Sequence, residues 1–422
     1  MALDLWLALI VFVVTYAAIA VEKVHKTLVA LAGAMLVLLL GLVSQEEAFQ
    51  GVDWNVIFLL AGMMIIANTL SRTGIFQWMA SKVIDLARGE PFRVLLLLSA
   101  MTAVLAAFLD NVTTVVLMVP ITLFVTKALA ISPVPYLISE ILASNIGGTA
   151  TLIGDPPNII IGSAAGLDFV AFLLNLGPPV LVIYLVFMGI VALFFRRELR
   201  VPEERRMEAM AISEEGMVRE RKLLVQGLVV LGLVLAGFLL HGVLHLEAAT
   251  IAMSGAVLLL FVSRAEVHEA ITEIEWTTLL FFLGLFILVE ALIKVGFVEL
   301  AARGVLDLTG GNLSATAILL LWGSGLASGI IDNIPYTATM VPIVQELGQS
   351  MPVEPLWWSL ALGACLGGNA TAVGASANVI VLSLAERAGY RISFLQFLKY
   401  GVVTTLVSLL ISTLYIWLRY LN

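Results

Sequence analysis

From Leu3 to Tyr420 the sequence is a succession of long apolar runs separated by short polar breaks. A run of about 17–25 apolar residues is long enough to cross the hydrocarbon of a bilayer as a helix, which closes its own backbone hydrogen bonds. Across all 422 residues 61% are hydrophobic and 12% charged, against about 45–50% and about 25% in soluble domains. No room remains for a soluble catalytic domain, so the chain reads as an all-α polytopic membrane protein and not an enzyme. The first run carries Asp4 and no Lys or Arg ahead of its core, so it reads as a span rather than a cleavable signal.

Ten spans are expected, at 3–21, 28–43, 54–71, 136–165, 169–195, 222–241, 248–263, 276–295, 357–386 and 394–419. Two further segments, 92–131 and 313–347, are split at their centres by Asp110-Asn111 and Asp332-Asn333. Their halves are short enough for re-entrant hairpins, although a tight pair of full spans has the same length. All Lys and Arg except Lys294, Arg303 and Arg419 fall on one side of this arrangement. The positive-inside rule makes that side cytoplasmic and puts both termini outside, in a plasma (inner) membrane.

The chain is also duplicated. SQEEAFQGVDW (44–54) aligns with EVHEAITEIEW (266–276), and at the same offset Gly62 aligns with Gly284, Gly74 with Gly296, Asp110-Asn111 with Asp332-Asn333 and Pro120 with Pro342. GGTATLIGDPPNII (147–160) likewise aligns with GGNATAVGASANVI (367–380). The division is residues 1–195 as a first repeat, 196–221 as a charged cytoplasmic linker, and 222–422 as a second repeat. Each repeat holds one hairpin and one interrupted helix, 136–165 in the first and 357–386 in the second. Five crossings per repeat turn the second copy upside down, giving the inverted topology of secondary transporters, whose sites form at the midplane from broken helices.

Unwound backbone at membrane depth must be buried in protein or line a cavity, so the two interruptions point to one chamber. Gly147, Gly148 and Gly154 let the chain leave helical geometry. Asp155 and Pro156 are then a favoured N-cap and first helical residue. The candidate substrate and ion site comprises Asp110, Asn111, Thr113, Thr114, Asn145, Gly147, Gly148, Thr149, Thr151, Gly154, Asp155 and Asn158 from the first repeat. From the second it takes Asp332, Asn333, Thr337, Gly367, Gly368, Asn369, Thr371, Gly374, Ser376 and Asn378. Intramembrane carboxylates are functional by default, and Asp110, Asp155 and Asp332 are read as holding a proton or a sodium ion. The second repeat has Ala375 and Ser376 where the first has Asp155 and Pro156, so the site is asymmetric.

Other features carry blander readings. Glu290 and Lys294 have the spacing of a helical salt bridge, and Glu140 reads as packing or a gate. His25, His241, His245 and His268 lie near span ends, which leaves proton handling to aspartates. The lone Cys365 rules out an intramolecular disulfide or thiolate cluster. No GxxxxGK[ST] or basic stripe suggests ATP or nucleic acid, and no cofactor is expected beyond the coupling ion.

FLDNVTTVVLMVPIT (108–122) with ASNIGGTATLIGDPPNIIIGS (143–163) resembles the ion transporter superfamily. The likeness is to its P-protein branch, grouped with arsenite permeases and sodium/proton antiporters that share a citrate-transporter-like domain. The resemblance implies two oppositely inserted hairpins and two interrupted helices moving against a scaffold in an elevator-like cycle. It also implies a homodimer, and it admits a separate ATPase subunit. The related dicarboxylate/sodium symporters carry Ser-Asn-Thr at each hairpin tip, whereas this chain has Asp-Asn-Val and Asp-Asn-Ile, and a carboxylate there disfavours a dianionic substrate. The leading expectation is arsenite/antimonite efflux coupled to protons or cations. A sodium/proton antiporter is the alternative, and a citrate-like carboxylate or other anion symporter the third reading.

Overall fold

The structure, a computed structural model, describes residues 2–21, 23–196, 199, 203, 206, 207, 220–240, 244 and 246–422. Most of the 196–221 linker, together with His241 and His245, lies outside the described residues. Among those described, every regular element is helical. The first ten helices are α1 (Ala2–Val21), α2 (Lys26–Leu39), α3 (Gln45–Gln50), α4 (Trp54–Arg72), α5 (Ile75–Ala87), α6 (Pro91–Phe108), α7 (Asn111–Ala128), α8 (Val134–Gly148), α9 (Pro156–Ala165) and α10 (Phe169–Phe195). The next ten are α11 (Arg221–Leu239), α12 (Ala248–Ser263), α13 (Val267–Thr272), α14 (Trp276–Lys294), α15 (Phe297–Thr309), α16 (Leu313–Ser328), α17 (Asn333–Leu347), α18 (Glu354–Gly367), α19 (Ser376–Arg387) and α20 (Phe394–Ile416). A π-helical turn, Trp417–Leu421, closes the chain.

The two sets correspond one to one, and their contacts are exchanged rather than merely repeated. Helix α4 packs on α12, and α14 packs on α2. A Cβ on Gly62 would sit 2.8 Å from the Ala252 carbonyl carbon, and one on Gly284 2.8 Å from that of Ala30. Glycine is thus what lets each pair of backbones approach. In the same way α7 packs on α19 while α9 packs on α17. Helices α1, α2, α4, α11, α12 and α14 make a frame, and α6–α9 with α16–α19 make a core beside it. Exposed side chains such as Leu39, Leu193 and Phe261 form the apolar exterior that a bilayer requires.

Among the described residues seven helices are long and apolar enough to cross a membrane, or eight if α15 and α16, bent by 116°, count as one span. Both arms of the first hairpin, α6 and α7, are among the seven. Some expected spans are made of shorter pieces. Helix α12 fills its expected 248–263, but α2 has only 14 residues and extends about 21 Å at 1.5 Å per residue. It stops short of residue 43 because Gly41 turns at φ 69°.

The expected loop 72–93 contains α5, and the matching stretch of the second repeat contains α15. Each opens on a left-handed glycine, Gly74 at φ 79° and Gly296 at φ 80°, which breaks the preceding span and starts a helix in a new direction. The Glu290–Lys294 expectation is corrected as well. The ammonium of Lys294 donates to Glu47 of α3, which also closes a capping box with Ser44.

Lys294 first, and Ser44 second, hold the Glu47 carboxyl at about 2 instead of the ordinary 4.5. Because the folded-state value is depressed, the stabilisation is complete above pH 4.5 and is lost as pH falls through about 2. Both groups face solvent, so the effect is small and screened by salt. In Lys294→Ala the acid-side decline of the melting temperature in that window should shrink, as thermal unfolding across pH would read.

Candidate functional site

Helix α8 is buried at every residue from Pro135 to Gly148, and α18 from Pro355 to Gly367. The chain can therefore unwind after each without exposing backbone to lipid. The glycines allow the close packing this needs. A Cβ on Gly147 would lie 2.1 Å from the Ala103 carbonyl oxygen, and one on Gly367 2.5 Å from that of Gly325. Gly154 and Gly374 pack likewise against Gly148 and Gly368.

The freed carbonyls are taken up by two asparagines. Asn158 Nδ2 donates to the carbonyls of Thr149 at 3.1 Å and Thr151 at 2.8 Å. Asn378 Nδ2 donates to those of Gly368 at 2.8 Å and Thr371 at 2.9 Å. The Thr151 and Thr371 hydroxyls tie the breaks to the hairpins through Ala107 and Gly329. Asn158, Asn378, Thr151 and Thr371 thus keep the interruptions in shape, and the Thr149 hydroxyl donates back to the Asn145 carbonyl.

At the centre Asn145 Nδ2 donates to Asn369 Oδ1 at 2.9 Å and to Asn378 Oδ1 at 3.0 Å. Asn111 Nδ2 donates to Asn145 Oδ1 at 3.3 Å, and Cys365 Sγ donates to Asn158 Oδ1 at 3.4 Å. Asn145 and Cys365 occupy equivalent positions of the two repeats, as do Asn158 and Asn378. The contacts 145–378 and 365–158 are therefore images of one another, and the two breaks meet face to face.

The three aspartates differ. Asp110 caps α7, accepting from the Thr113 amide at 2.9 Å and from its hydroxyl. Asp332 caps α17 through the Ile334 amide at 3.1 Å. Asp155 stands at the N-cap position of α9, yet its side chain makes no cap bond. It is 1% exposed and accepts from Asn333 Nδ2 at 3.2 and 3.3 Å. Of these three, Asp155 alone is not accounted for by helix capping.

The three aspartates expected near one ion have separate hydrogen-bond partners. Among the described residues no three Asp, Glu, His or Cys side chains gather in a way that could hold a metal ion. Each aspartate is held by its own partners instead: amides for Asp155, backbone and hydroxyl for Asp110, and an ammonium for Asp332. A cation at Asp155 would have to be completed by amide and backbone oxygens. Thr337 donates back to the Asn333 carbonyl within α17, and the Thr114 hydroxyl is buried with no hydrogen-bond partner.

Lys26, which the span pattern puts in a cytoplasmic loop, belongs to the site. It opens α2 of the frame, and its Nζ lies 3.0 Å from Asp332 Oδ2 while also donating to Ser376. The Ser376 hydroxyl donates to the same Asp332 oxygen at 2.5 Å. This triad ties frame to core across 306 residues of sequence. The available signal is that Ala248 stands at the equivalent place in the second repeat.

Beside the triad, between frame and core, is a cleft of about 310 Å³ lined by Lys26, Glu275, Thr278, Val112, Ser376 and Ile380. A smaller one of about 130 Å³, lined by Asn55, Leu152, Ile159, Glu247 and Ala249, occupies the repeat-related place. The cleft on the Lys26 side is the larger of these two.

Two contact-exchanged sets of membrane helices, broken where they face each other around buried amides and an uncapped carboxylate, define a secondary transporter. The chain belongs to the citrate transporter family, whose model matches residues 16–363. A 46 kDa membrane protein of Mycobacterium leprae is 47% identical over 423 residues, covering 98% of this chain and 99% of the relative. An uncharacterized transporter of Mycobacterium tuberculosis is 47% identical over 421 residues, 98% of each. The P protein of Mus musculus is 34% identical over 494 residues, covering 96% of this chain and 59% of the relative. The YdaH transporter of Alcanivorax borkumensis, described as having an unusual topology, shares the fold at TM-score 0.60 and 14% identity, over 99% of this chain and 98% of that one. The protein is an integral membrane transporter of a small solute or ion, and it is not an enzyme.

Proposed function

We propose that the chain is an efflux carrier of the arsenite/antimonite-permease type, exchanging a small inorganic solute for protons or cations in an elevator-like cycle. The observation that carries this reading is Asp155, a buried carboxylate at the helix break that neither caps a helix nor pairs with a cation. Such a group is suited to taking up a proton or a small cation and releasing it again. The one lysine at the site already faces Asp332, so little positive charge is left for a di- or tricarboxylate. A neutral hydroxylated solute such as As(OH)3 instead meets amides and hydroxyls. In the cycle the core slides along the frame, and the Lys26–Asp332–Ser376 contact breaks as the Lys26-side cleft closes. With the Lys/Arg-rich side cytoplasmic, the resting form faces inward.

The sodium/proton antiporter reading draws on a different observation. The direct bonds from Asn145 to Asn369 and Asn378 fill the centre with side chains, which suits an ion better than a separate solute. Purified protein in liposomes, given arsenite, antimonite, sodium or citrate while internal pH and membrane potential are recorded, separates the readings. Proton movement driven by arsenite or antimonite is the expected result, and expression should raise the tolerance of an arsenite-sensitive host. A response to sodium alone would establish the antiporter. A response to citrate alone would overturn both.

A further inference from the structure

Helix α8 carries a polar stripe that its repeat partner lacks. Tyr136, Glu140 and Ser144 follow at four-residue spacing along one helix face, and each is at most 1% exposed. The equivalent residues of α18 are Leu356, Leu360 and Ala364. The difference extends to the neighbouring helix. Thr122 of α7, whose hydroxyl donates to Glu140 Oε1, has Val344 as its counterpart on α17.

The stripe is bonded at both ends. The Tyr136 hydroxyl donates to the Pro91 carbonyl at 2.8 Å, at the base of the first hairpin. The Ser144 hydroxyl donates to Asn111 Oδ1 at 3.2 Å, at the hairpin tip. Since α18 is equally buried with only apolar residues at these places, the fold does not need a carboxyl here. A buried carboxyl is, moreover, costly to keep.

Glu140 Oε2 has no hydrogen-bond partner, and no ion pair to Glu140 is found among the described residues. On the helices packed against α8, the side chains of Arg93, Lys127, Glu354, Glu386, Arg387 and Lys399 are all exposed. Glu90, half-buried at the hairpin base, is engaged with the start of α6 and with Arg93. The nearest buried titratable group along the stripe is Tyr136. One hydroxyl donor cannot compensate an ionised carboxylate removed from water. A neutral carboxylic acid fits the surroundings, with one oxygen shared with the Thr122 hydroxyl and the other a plain carbonyl.

We propose that Glu140 is a second proton-binding site of the carrier, separate from Asp155, on a polar ladder that runs inside the first repeat from the hairpin base to its tip. Loading passes one proton from hydronium to a carboxyl oxygen, the donor O–H bond breaking as the carboxyl O–H bond forms and water remaining. The assignment does not depend on which solute is moved.

Infrared spectra of the purified full-length protein at neutral pH, in H2O and in D2O, test it. The wild type should show the carbonyl stretch of a neutral carboxylic acid, shifted by deuterium. Glu140→Gln should lose a component of that band that Asp155→Asn keeps. If Glu140→Gln does not fold, the pair Glu140→Leu with Thr122→Val, which copies Leu360 and Val344, takes its place. A folded variant that keeps that component overturns the assignment, as does a wild type without the band.

Discussion

Asp155→Asn is expected to reduce coupled transport in liposomes to the level of protein-free vesicles while leaving the protein folded. The side chain is buried, lies at the break between α8 and α9, and accepts hydrogen bonds from Asn333 without capping its helix. Asparagine has nearly the same shape and keeps an acceptor for Asn333, so the structural cost is confined to one poorly satisfied amide, about 1–3 kcal/mol. What it loses is the ability to alternate between charged and neutral forms or to attract a cation. Asp110→Ala should behave differently, because that carboxylate serves as an N-cap with Thr113, and loss of a cap costs about 1 kcal/mol of stability. Uptake assays paired with melting curves distinguish the two. If Asp155→Asn carries coupled flux at the wild-type rate, Asp155 has no role in coupling.

Gly147→Ala is expected to be among the most damaging single methyls at the described glycines. Its Cβ would lie 2.1 Å from the Ala103 carbonyl oxygen and 2.6 Å from the carbonyl carbon. These are backbone atoms that no rotamer change can move aside. Helices α6 and α8 would have to separate along the tightest contact of the first hairpin, at about 3 kcal/mol or more, the upper end of what overpacking costs. Gly367→Ala meets the Gly325 carbonyl oxygen at 2.5 Å and should destabilise in the same way, because the contact is repeated. Gly323→Ala, in the interior of α16 with nothing within 4 Å of the added methyl, should instead be neutral or slightly stabilising. Thermal unfolding of the three variants in one detergent gives the comparison, and equal melting temperatures would contradict the close approach.

The most legible features of the sequence are those that break a local rule. Three glycines and Asp-Pro-Pro inside an apolar run can only be punctuation, and their recurrence at 367–380 points to a pair of breaks. The structure places the breaks there, α8 ending at Gly148 and α18 at Gly367. Asn145, Asn158, Asn369 and Asn378 are legible as polar groups at membrane depth. That Asn158 and Asn378 serve the unwound backbone is not, because their acceptors are carbonyls with no sequence signature. Amphipathic α5 and α15 read as loops, since a helix lying beside the core needs only one apolar face and so never forms a continuous run. Lys294 pairs with Glu290 under the four-residue rule because that rule sees only neighbours along one helix, whereas its actual partner Glu47 is 247 residues away. Lys26 escapes notice for the same reason: a lysine at a span end looks like a loop charge until the fold sets it against Asp332.

The central claim is that the two repeats bring their broken helices face to face, so that equivalent residues form equivalent contacts across the centre. Disulfide trapping in intact membranes tests it directly. Asn158→Cys can be paired with the native Cys365, whose sulfur lies 3.4 Å from the Asn158 side chain. Asn145→Cys with Asn378→Cys, in a Cys365→Ser background, reports the image contact. Both pairs should cross-link on mild oxidation. If neither does in protein that remains folded, the breaks do not meet, and the shared chamber proposed for transport does not exist.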